Sequence, residues 1–338
     1  MKAMVLHELG GPEKLSYEEV PEPEPGSGET VVRLRAAALN RRDVFVTQGQ
    51  YPGAKPDALP VILGSDGSGE VVARGEGAAG ADEGTEVVVN PALYWGEDPR
   101  KPGKEYRILG LPDDGTFAQF VKVPAECVFP KPSHLSHEEA AALPLGALTA
   151  YRALVTRGAV QEGETVLVPG VGSGVATFVV QIAAALGARV FVTSSSDEKI
   201  EKARALGAEG GVNYNSEDWS RELKSTAGGI DLAVDLAGGE AFNAQLSLAN
   251  PGGRIVAVGA TAGPTPKVMT IRIALKHLDV LGTAMGTNEE FGAMLDLYAE
   301  HGLRPTINET FALEEAAAAM QHMEEGKGIG KIVLDIPA

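Results

Sequence analysis

The stretch that decides the fold is residues 164–207, ETVLVPGVGSGVATFVVQIAAALGARVFVTSSSDEKIEKARALG. A β-branched run, a glycine-rich turn, an apolar-striped segment and a second β-branched run follow one another, which predicts a strand–helix–strand unit. In such a unit the glycines let backbone approach a pyrophosphate, and the start of the helix supplies unpaired N–H groups and a positive dipole end. The stretch therefore predicts a dinucleotide site.

The glycine-rich turn is the predicted cradle for the phosphates. We assign cofactor binding to the residues of the turn and the start of the helix: Gly170, Gly172, Ser173, Gly174 and Val175. A glycine pattern alone is weak evidence, because an ordinary turn between a strand and a helix can contain it. Here the turn follows one strand, precedes a helix and is followed by a second strand, as the cofactor interpretation requires.

The end of the second predicted strand indicates which dinucleotide binds. NAD sites usually carry an acidic residue there, against the ribose, whereas this chain has Ser194 and Ser195. Hydroxyl groups with a nearby cation, for which Lys199 is the candidate, would accept a 2′-phosphate that a carboxylate would repel. Ser195 can also cap the next helix in a capping box with Glu198, which leaves Ser194 free. The pattern favours NADP(H).

The composition of the chain argues against several classes of protein. The 338 residues carry a formal charge of -17, from 29 basic and 46 acidic residues, which argues against direct binding of nucleic acid. One cysteine, Cys127, excludes an internal disulfide and any multi-cysteine zinc site. No apolar run reaches the roughly 20 residues of a membrane span. The first residues lack the pattern of a signal peptide, so we expect a cytoplasmic protein that does not bind membranes.

The pattern along the chain predicts two domains. Residues 1–125 contain short β-branched runs between Pro and Gly, with no helix of normal length before about residue 136, which predicts a small barrel or sandwich. Residues 126–286 alternate strand and helix patterns, which predicts a parallel, doubly wound sheet. Residues 287–338 break that rhythm, so we expect them to return to the first domain. The strand candidates of the second domain are 165–168, 189–193, 211–213, 231–236, 254–259 and 278–282.

The chain resembles the medium-chain dehydrogenase/reductase superfamily, and within it the zinc-independent quinone oxidoreductase and enoyl reductase branch. The likeness covers essentially the whole chain and implies an α/β protein with a Rossmann domain and a GroES-like, β-rich catalytic domain. It also implies a homodimer paired through the last Rossmann strand, Asp279–Gly282, or a homotetramer. The resemblance rests on these stretches: AAALNRRDVFVTQGQYP (36–52), LGSDGSGEVVARG (63–75), LPLGALTAYRAL (143–154), ETVLVPGVGSGV (164–175), DLAVDLAGG (231–239) and GGRIVAVGA (252–260).

The ligands of both family zinc sites are missing. Where zinc-dependent members hold the catalytic metal, this chain has Asn40, Ser65 with Asp66, and Leu145. A catalytic zinc needs three protein ligands, usually thiolate, imidazole or carboxylate, and Asp66 alone cannot hold it. The lobe of the structural zinc falls near 90–113, which contains no Cys or His, and the six histidines are scattered. We therefore predict no metal.

Without the metal as a Lewis acid, the hydride acceptor must be strongly electrophilic. A quinone qualifies, and so does the β-carbon of an α,β-unsaturated carbonyl, whose developing enolate needs only hydrogen-bond donors. The first candidate donor is Asn40, which replaces a metal ligand, although a satisfied Asn closing a strand is an equal alternative. The second catalytic candidate is Tyr51, as a donor of a hydrogen bond or proton, with plain loop packing as the alternative.

The resemblance also suggests residues around the nicotinamide end of the cofactor. It puts the backbone of Gly259 and Ala260 near the nicotinamide, with Thr149 and Thr283 lining the same pocket and Lys331 approaching the phosphates. Two other functions stay open: a zinc-type alcohol dehydrogenase and a non-enzymatic NADPH-binding protein of the same fold. The sequence does not distinguish a quinone from an enone or enoyl thioester as the small-molecule substrate.

Overall fold

The computed structural model describes residues 1–265 and 267–337. By its internal contacts the chain divides into two units, each formed from more than one segment. Unit 1 consists of Met1–Gly146, Gly286–Lys327 and the residues from Lys331 onward, and unit 2 consists of Ala147–Met285 and Gly328–Gly330.

Strands occur along the whole chain, and most of those in the first third are short. In chain order the strands are β1 (Lys2–Leu6), β2 (Leu15–Glu19), β3 (Glu29–Ala38), β4 (Val61–Ile62), β5 (Asp66–Arg74), β6 (Glu86–Val89), β7 (Ala92–Leu93), β8 (Arg107–Ile108), β9 (Phe120–Pro124), β10 (Val128–Pro130), β11 (Thr165–Val168), β12 (Arg189–Ser194), β13 (Gly210–Asn213), β14 (Ile230–Asp235), β15 (Ala249–Ala257), β16 (Asp279–Gly282), β17 (Ile307–Ala312) and β18 (Lys331–Asp335).

Most helices lie in the second half of the chain, where several of them connect the strands of unit 2. They are α1 (Arg41–Thr47), α2 (His137–Ala142), α3 (Pro144–Tyr151), α4 (Gly174–Ala185), α5 (Asp197–Ala205), α6 (Trp219–Ala227), α7 (Ala241–Leu248), α8 (Thr270–Lys276), α9 (Asn288–Glu300) and α10 (Ala316–Glu325). Within the described part of the chain, none of these helices has the length and apolar character that crossing a membrane requires.

Unit 2 contains a six-stranded sheet in the order β13-β12-β11-β14-β15-β16, and every neighbouring pair is parallel. The strand order reverses between β11 and β14, which is the doubly wound Rossmann arrangement. Each predicted strand of the second domain overlaps one of these strands, so the predicted fold class is confirmed. The reversal leaves a crevice at the carboxyl ends of β11 and β14, where such sheets bind their ligands.

The helix after the glycine-rich turn packs on this sheet as predicted. All four residues of β11 are buried, as expected for a strand that is covered on both faces. In α4 the residues from Ala176 to Ala183 are buried. Gly187, at φ 78°, provides the left-handed residue after the helix, and its N–H donates to Ala184 O (3.0 Å).

Unit 1 is built around β3, which pairs with β5, β9 and β18 in a seven-stranded sheet. Antiparallel pairing of β18 with β3 sets Val333 opposite Ala38, so the final strand returns to the first domain as predicted. The N–H of Leu39 donates to Ile332 O (3.0 Å), which continues this pairing past the end of β3. As a result, Lys331 stands beside the segment that follows β3.

The division between the units differs from the predicted boundary at residue 125. Unit 1 extends to Gly146 because α2 packs against β3, β5 and β18. The contact includes a hydrogen bond between Ser68 Oγ and His137 Nδ1 (2.9 Å). The second predicted boundary, after residue 286, lies next to the observed one at Met285 and Gly286.

One short helix of unit 1, α1, was not predicted. Its sequence, RRDVFVT, is rich in β-branched residues, whose propensity favours a strand. A local hydrogen bond overrides that preference, since the carboxylate of Asp43 accepts from the backbone N–H of Asn40 (2.7 Å) at the start of the helix. The carboxylate is fully buried, with an exposed fraction of 0%.

Burial raises the pKa of Asp43 to about 6, from an ordinary value of 3.8. The Arg42 guanidinium, the N–H of Asn40 and the Lys331 ammonium oppose the shift, whereas the nearby carboxylate of Asp66 adds to it. The folded state therefore holds the Asp43 proton more tightly than the unfolded state does. Its contribution to the free energy of unfolding is neutral below about pH 4, becomes a growing cost between pH 4 and 6, and stays constant above 6.

We predict that Asp43→Asn removes this cost, because an amide can still accept the hydrogen bond from Asn40 but does not ionise. Relative to wild type, the free energy of unfolding of the variant should rise by up to about 3 kcal/mol between pH 4 and pH values above 6. Denaturant unfolding of both proteins at each pH measures this difference, in which contributions of unchanged groups cancel. Parallel pH profiles would contradict the prediction.

Candidate active site

The glycine-rich turn of unit 2 is tied to the end of the neighbouring strand. The N–H of Val171 donates to Thr193 O (2.8 Å), and the N–H of Gly170 donates to Thr193 Oγ1 (3.1 Å). Ser173 caps α4, since its Oγ accepts from Ala176 N (3.2 Å). The N–H groups at the first turn of the helix, those of Gly174 and Val175 among them, have no intrahelical acceptor. Such N–H groups can bind an anion, and the assignment of the cofactor phosphates to this turn stays a prediction.

The serines at the end of β12 differ from the prediction in one respect. The residue that caps α5 is Ser196, whose Oγ accepts from Lys199 N (3.4 Å), so the predicted capping box of Ser195 with Glu198 was wrong. The strand runs one residue further than expected, through Ser194, whose Oγ accepts from Ser196 N (3.2 Å). Ser195 is exposed and is released from the capping role.

The side chain of Lys199 lies over the turn. A Cβ on Gly172 would stand 3.4 Å from Lys199 Nζ, so the cation lies next to the glycine-rich turn. The structure thereby brings together the predicted residues of the turn and those of the β12 end. A cation and the exposed Ser195 beside a helix N-terminus suit a phosphorylated ligand, whereas Ser194 is buried.

Of the predicted nicotinamide residues, Gly259, Ala260 and Thr283 stand at the carboxyl ends of the last two strands of the sheet, whereas Thr149 lies in α3. Gly259 and Ala260 are exposed after β15. Thr283 follows β16, and its Oγ1 is buried and finds no hydrogen-bond partner among the residues that the structure describes. Thr149 is 4% exposed, and its hydroxyl donates to Met285 Sδ (4.0 Å). The orphaned Thr283 hydroxyl and the glycine turn both fit a nicotinamide dinucleotide as ligand.

In unit 1, Lys331 is the centre of a buried polar group. Its side chain is 4% exposed, and its Nζ donates to Leu39 O (2.7 Å), Asn40 Oδ1 (2.8 Å) and Asp66 Oδ2 (2.8 Å). We call Asn40, Asp66 and Lys331 the ammonium cluster. Three acceptors take the three N–H groups of the ammonium, which corrects the expectation that Lys331 contacts the cofactor phosphates.

The positions that match the ligands of the family's catalytic zinc do come together, but in other roles. Asp66 accepts from Leu145 N (2.8 Å) through Oδ1 and from Lys331 through Oδ2. Ser65 Oγ donates to Leu109 O (2.8 Å) and accepts from Arg42 Nη1 (3.1 Å). Over residues 1–265 and 267–337, no three His, Cys, Asp or Glu side chains are grouped to hold a metal. This donor set does not fit zinc.

The side-chain amide of Asn40 is hydrogen-bonded through its oxygen but not through its nitrogen. The side chain is 7% exposed, Oδ1 accepts from Lys331, and Nδ2 is buried without a hydrogen-bond partner in the described part of the chain. Leaving a buried donor unpaired costs about 1–3 kcal/mol, so an acceptor from a ligand is the expected partner. The other catalytic candidate, Tyr51, packs its ring under the Arg42 guanidinium at 4.7 Å. This is a packing contact of the kind that the sequence analysis gave as the alternative to a catalytic role for Tyr51.

Two family models match the chain: an alcohol dehydrogenase GroES-like domain over residues 26–133 and a zinc-binding dehydrogenase over residues 174–300. A zinc-type alcohol dehydrogenase-like protein, YogA, from Leptosphaeria maculans is 37% identical over 95% of this chain and 94% of its own. An acryloyl-coenzyme A reductase from Metallosphaera sedula is 32% identical over 99% of both chains.

Solved structures give the same assignment. A NAD-dependent alcohol dehydrogenase superposes with a TM-score of 0.94 at 39% identity, over 100% of both chains. The quinone oxidoreductase from Coxiella burnetii superposes with a TM-score of 0.82 at 29% identity, over 100% of this chain and 99% of its own. With its Rossmann unit and its GroES-like unit, the chain belongs to the medium-chain dehydrogenase/reductase superfamily of oxidoreductases.

Proposed function

We propose that the protein reduces a quinone or an α,β-unsaturated carbonyl compound by hydride transfer from NADPH, without zinc. The observation that carries the proposal is the buried, unpaired Nδ2 of Asn40, next to Lys331, at a position where zinc-dependent members of the family have a metal ligand. The chain thus offers a hydrogen-bond donor in place of a Lewis acid.

The bound NADPH supplies the hydride, and the protein has to stabilise the negative charge that grows on the substrate oxygen. A preorganised donor at that oxygen contributes about 10²–10³-fold in kcat. Asn40 Nδ2 fills this role, since its desolvation is already complete before substrate binds. Tyr51 is the candidate for delivering the proton that completes the reduction.

Cofactor choice follows from the residues at the end of β12. A hydroxyl-bearing end at Ser194 and Ser195, with Lys199 nearby, suits a 2′-phosphate, and no carboxylate stands where NAD sites usually have one. The second candidate function, an NAD-dependent alcohol dehydrogenase, is favoured by the name of one similar structure. It requires an activating group for the alcohol, and the donor set around Asp66 does not provide a zinc site.

We predict that purified protein oxidises NADPH in the presence of an enone or a quinone, and that Asn40→Ala lowers kcat about 10²–10³-fold. The dissociation constant of NADPH should stay within about threefold, because Asn40 does not belong to the cofactor cradle. Steady-state kinetics and fluorescence titration measure the two quantities. Asn308→Ala, in the same unit, serves as the control and should leave both unchanged.

Two outcomes of this experiment would contradict the proposal. If wild type binds NADPH but reduces no quinone or enone on a broad panel, a non-enzymatic NADPH-binding protein becomes the better description. If elemental analysis finds one zinc per chain, and chelation of that zinc abolishes activity, the zinc-type alcohol dehydrogenase is the better description.

We predict that Lys199→Ala weakens NADPH binding about 10–100-fold and NADH binding much less, because a charge-assisted bond to a phosphate is lost. Lys202→Ala is the matched control on the same helix, since Lys202 is paired with Glu198 (2.8 Å) on an exposed face. Titration of each variant with both cofactors measures the effect. Equal weakening of NADPH and NADH would place Lys199 at the pyrophosphate and remove the argument for a 2′-phosphate site.

We also propose a homodimer formed through β16, the strand at one edge of the unit 2 sheet. Val280 on this strand is 43% exposed, and the neighbouring α8 exposes Ile271 (58%) and Leu275 (75%). Such an apolar edge is suited to pairing with a second copy of the sheet. Val280→Asp should then halve the mass found by sedimentation, whereas Tyr214→Asp, an equally exposed site near the other edge, should not. A monomeric wild type would contradict the proposal.

A further inference from the structure

The ammonium cluster points to a role for Lys331 that goes beyond neutralising a buried carboxylate. We propose that Lys331 is a positioning residue, which fixes and polarises the side-chain amide of Asn40 so that Nδ2 donates to the substrate oxygen. This inference rests on the proposed function, since it names the group that prepares the catalytic donor. It assigns to an internal ammonium the local positive charge that a metal ion supplies in the zinc-dependent branch.

The first step is the orientation of the amide. A carboxamide can turn its oxygen or its nitrogen toward a neighbour, and the two ends are sterically alike. An ammonium has only donors, so the atom at 2.8 Å from Lys331 Nζ has to be Oδ1 of Asn40. The nitrogen therefore faces the opposite side, where it has no partner among the described side chains. The charged bond to the ammonium thus favours this orientation over the flipped one.

The second step is polarisation. A charge-assisted hydrogen bond at Oδ1 draws electron density from the amide and makes its N–H groups stronger donors. The effect is largest where the dielectric constant is low, and both Asn40 and Lys331 are more than nine-tenths buried. The chain of donors runs from Lys331 through Asn40 to the substrate oxygen, so positive potential reaches that oxygen without transfer of a proton.

The third step is the fixation of Lys331. Asp66 is 0% exposed, and its two oxygens accept from Leu145 N and from Lys331. The lysine cannot turn away without leaving a buried carboxylate unpaired, which is strongly unfavourable. A third hydrogen bond, to Leu39 O, holds the ammonium beside the short segment between β3 and α1, next to Asn40. The ammonium is thereby held in one place before substrate arrives.

The competing explanation is that Lys331 serves only to balance the charge of Asp66. The two explanations predict different activities for a variant in which both Lys331 and Asp66 are replaced by uncharged residues. We therefore compare Lys331→Met, Asp66→Asn and the Lys331→Met/Asp66→Asn double variant, each with and without Asn40→Ala. Unfolding midpoints, kcat, KM and the dissociation constant of NADPH are measured for all of them.

We expect Lys331→Met to be unstable, because it leaves the Asp66 carboxylate buried and unpaired, and the double variant to recover most of the unfolding midpoint. The kcat of the double variant should nevertheless stay about 10-fold or more below wild type, with the NADPH dissociation constant unchanged. Adding Asn40→Ala to the double variant should then cost much less than adding it to wild type, since an unoriented amide contributes little. A double variant with wild-type kcat, or an equal cost of Asn40→Ala in both backgrounds, would overturn the inference.

A readout that does not need turnover separates this inference from the proposed function. In a nitrogen–proton correlation spectrum, the side-chain amide of Asn40 should give one sharp pair of cross-peaks in wild type, and shifted or doubled peaks in the double variant. Peaks that do not move would overturn the role of Lys331 even in an active enzyme. If wild type reduces no substrate while these peaks do move, the proposed function fails and the orientation of Asn40 by Lys331 stands.

Discussion

Asp66 and Lys331 form an ion pair with both side chains buried, although 265 positions separate them in the chain. Neither charge is tolerable alone in that environment, because the desolvation of an unpaired ion costs several kcal/mol. The pair therefore demands that β18 lie against β3 in one register, since a shift of one residue would point Lys331 to the other face of the sheet. The geometry of the proposed donor site depends on this requirement, because it is the same register that brings Lys331 to Asn40.

In the proposed function, the ammonium cluster takes the place that a metal has in the zinc-dependent branch. Asn40 and Asp66 contribute oxygens to a cationic centre, as metal ligands would, but the centre is a side chain of the same chain. A lysine cannot bind substrate directly once its three hydrogens are taken, so its charge acts through the amide of Asn40. A reaction with an electrophilic acceptor needs only such a donor, whereas activation of a simple alcohol needs a Lewis acid.

How much the sequence revealed depended on the range of the interactions involved. The unit of β11, α4 and β12 could be predicted because its turn, its apolar stripe and its capping signals are local. Local rules still misplaced one cap, since Ser196 and not Ser195 caps α5. They also missed α1, where the buried carboxylate of Asp43 overrides β-propensity. The partners of Lys331 could not be predicted at all, because they follow from the pairing of strands at opposite ends of the chain.

The discontinuity of unit 1 has a consequence for the order in which the protein acquires its structure during synthesis. Most of unit 2 is one uninterrupted segment, Ala147–Met285, whose parallel strands can assemble as soon as it has left the ribosome. The sheet of unit 1 is completed only by β18, and until then the end of β3, from Ala36 to Ala38, has no partner on one side and Asp66 has no counterion. The strands of the first third of the chain are therefore exposed to wrong pairing for longer than those of unit 2.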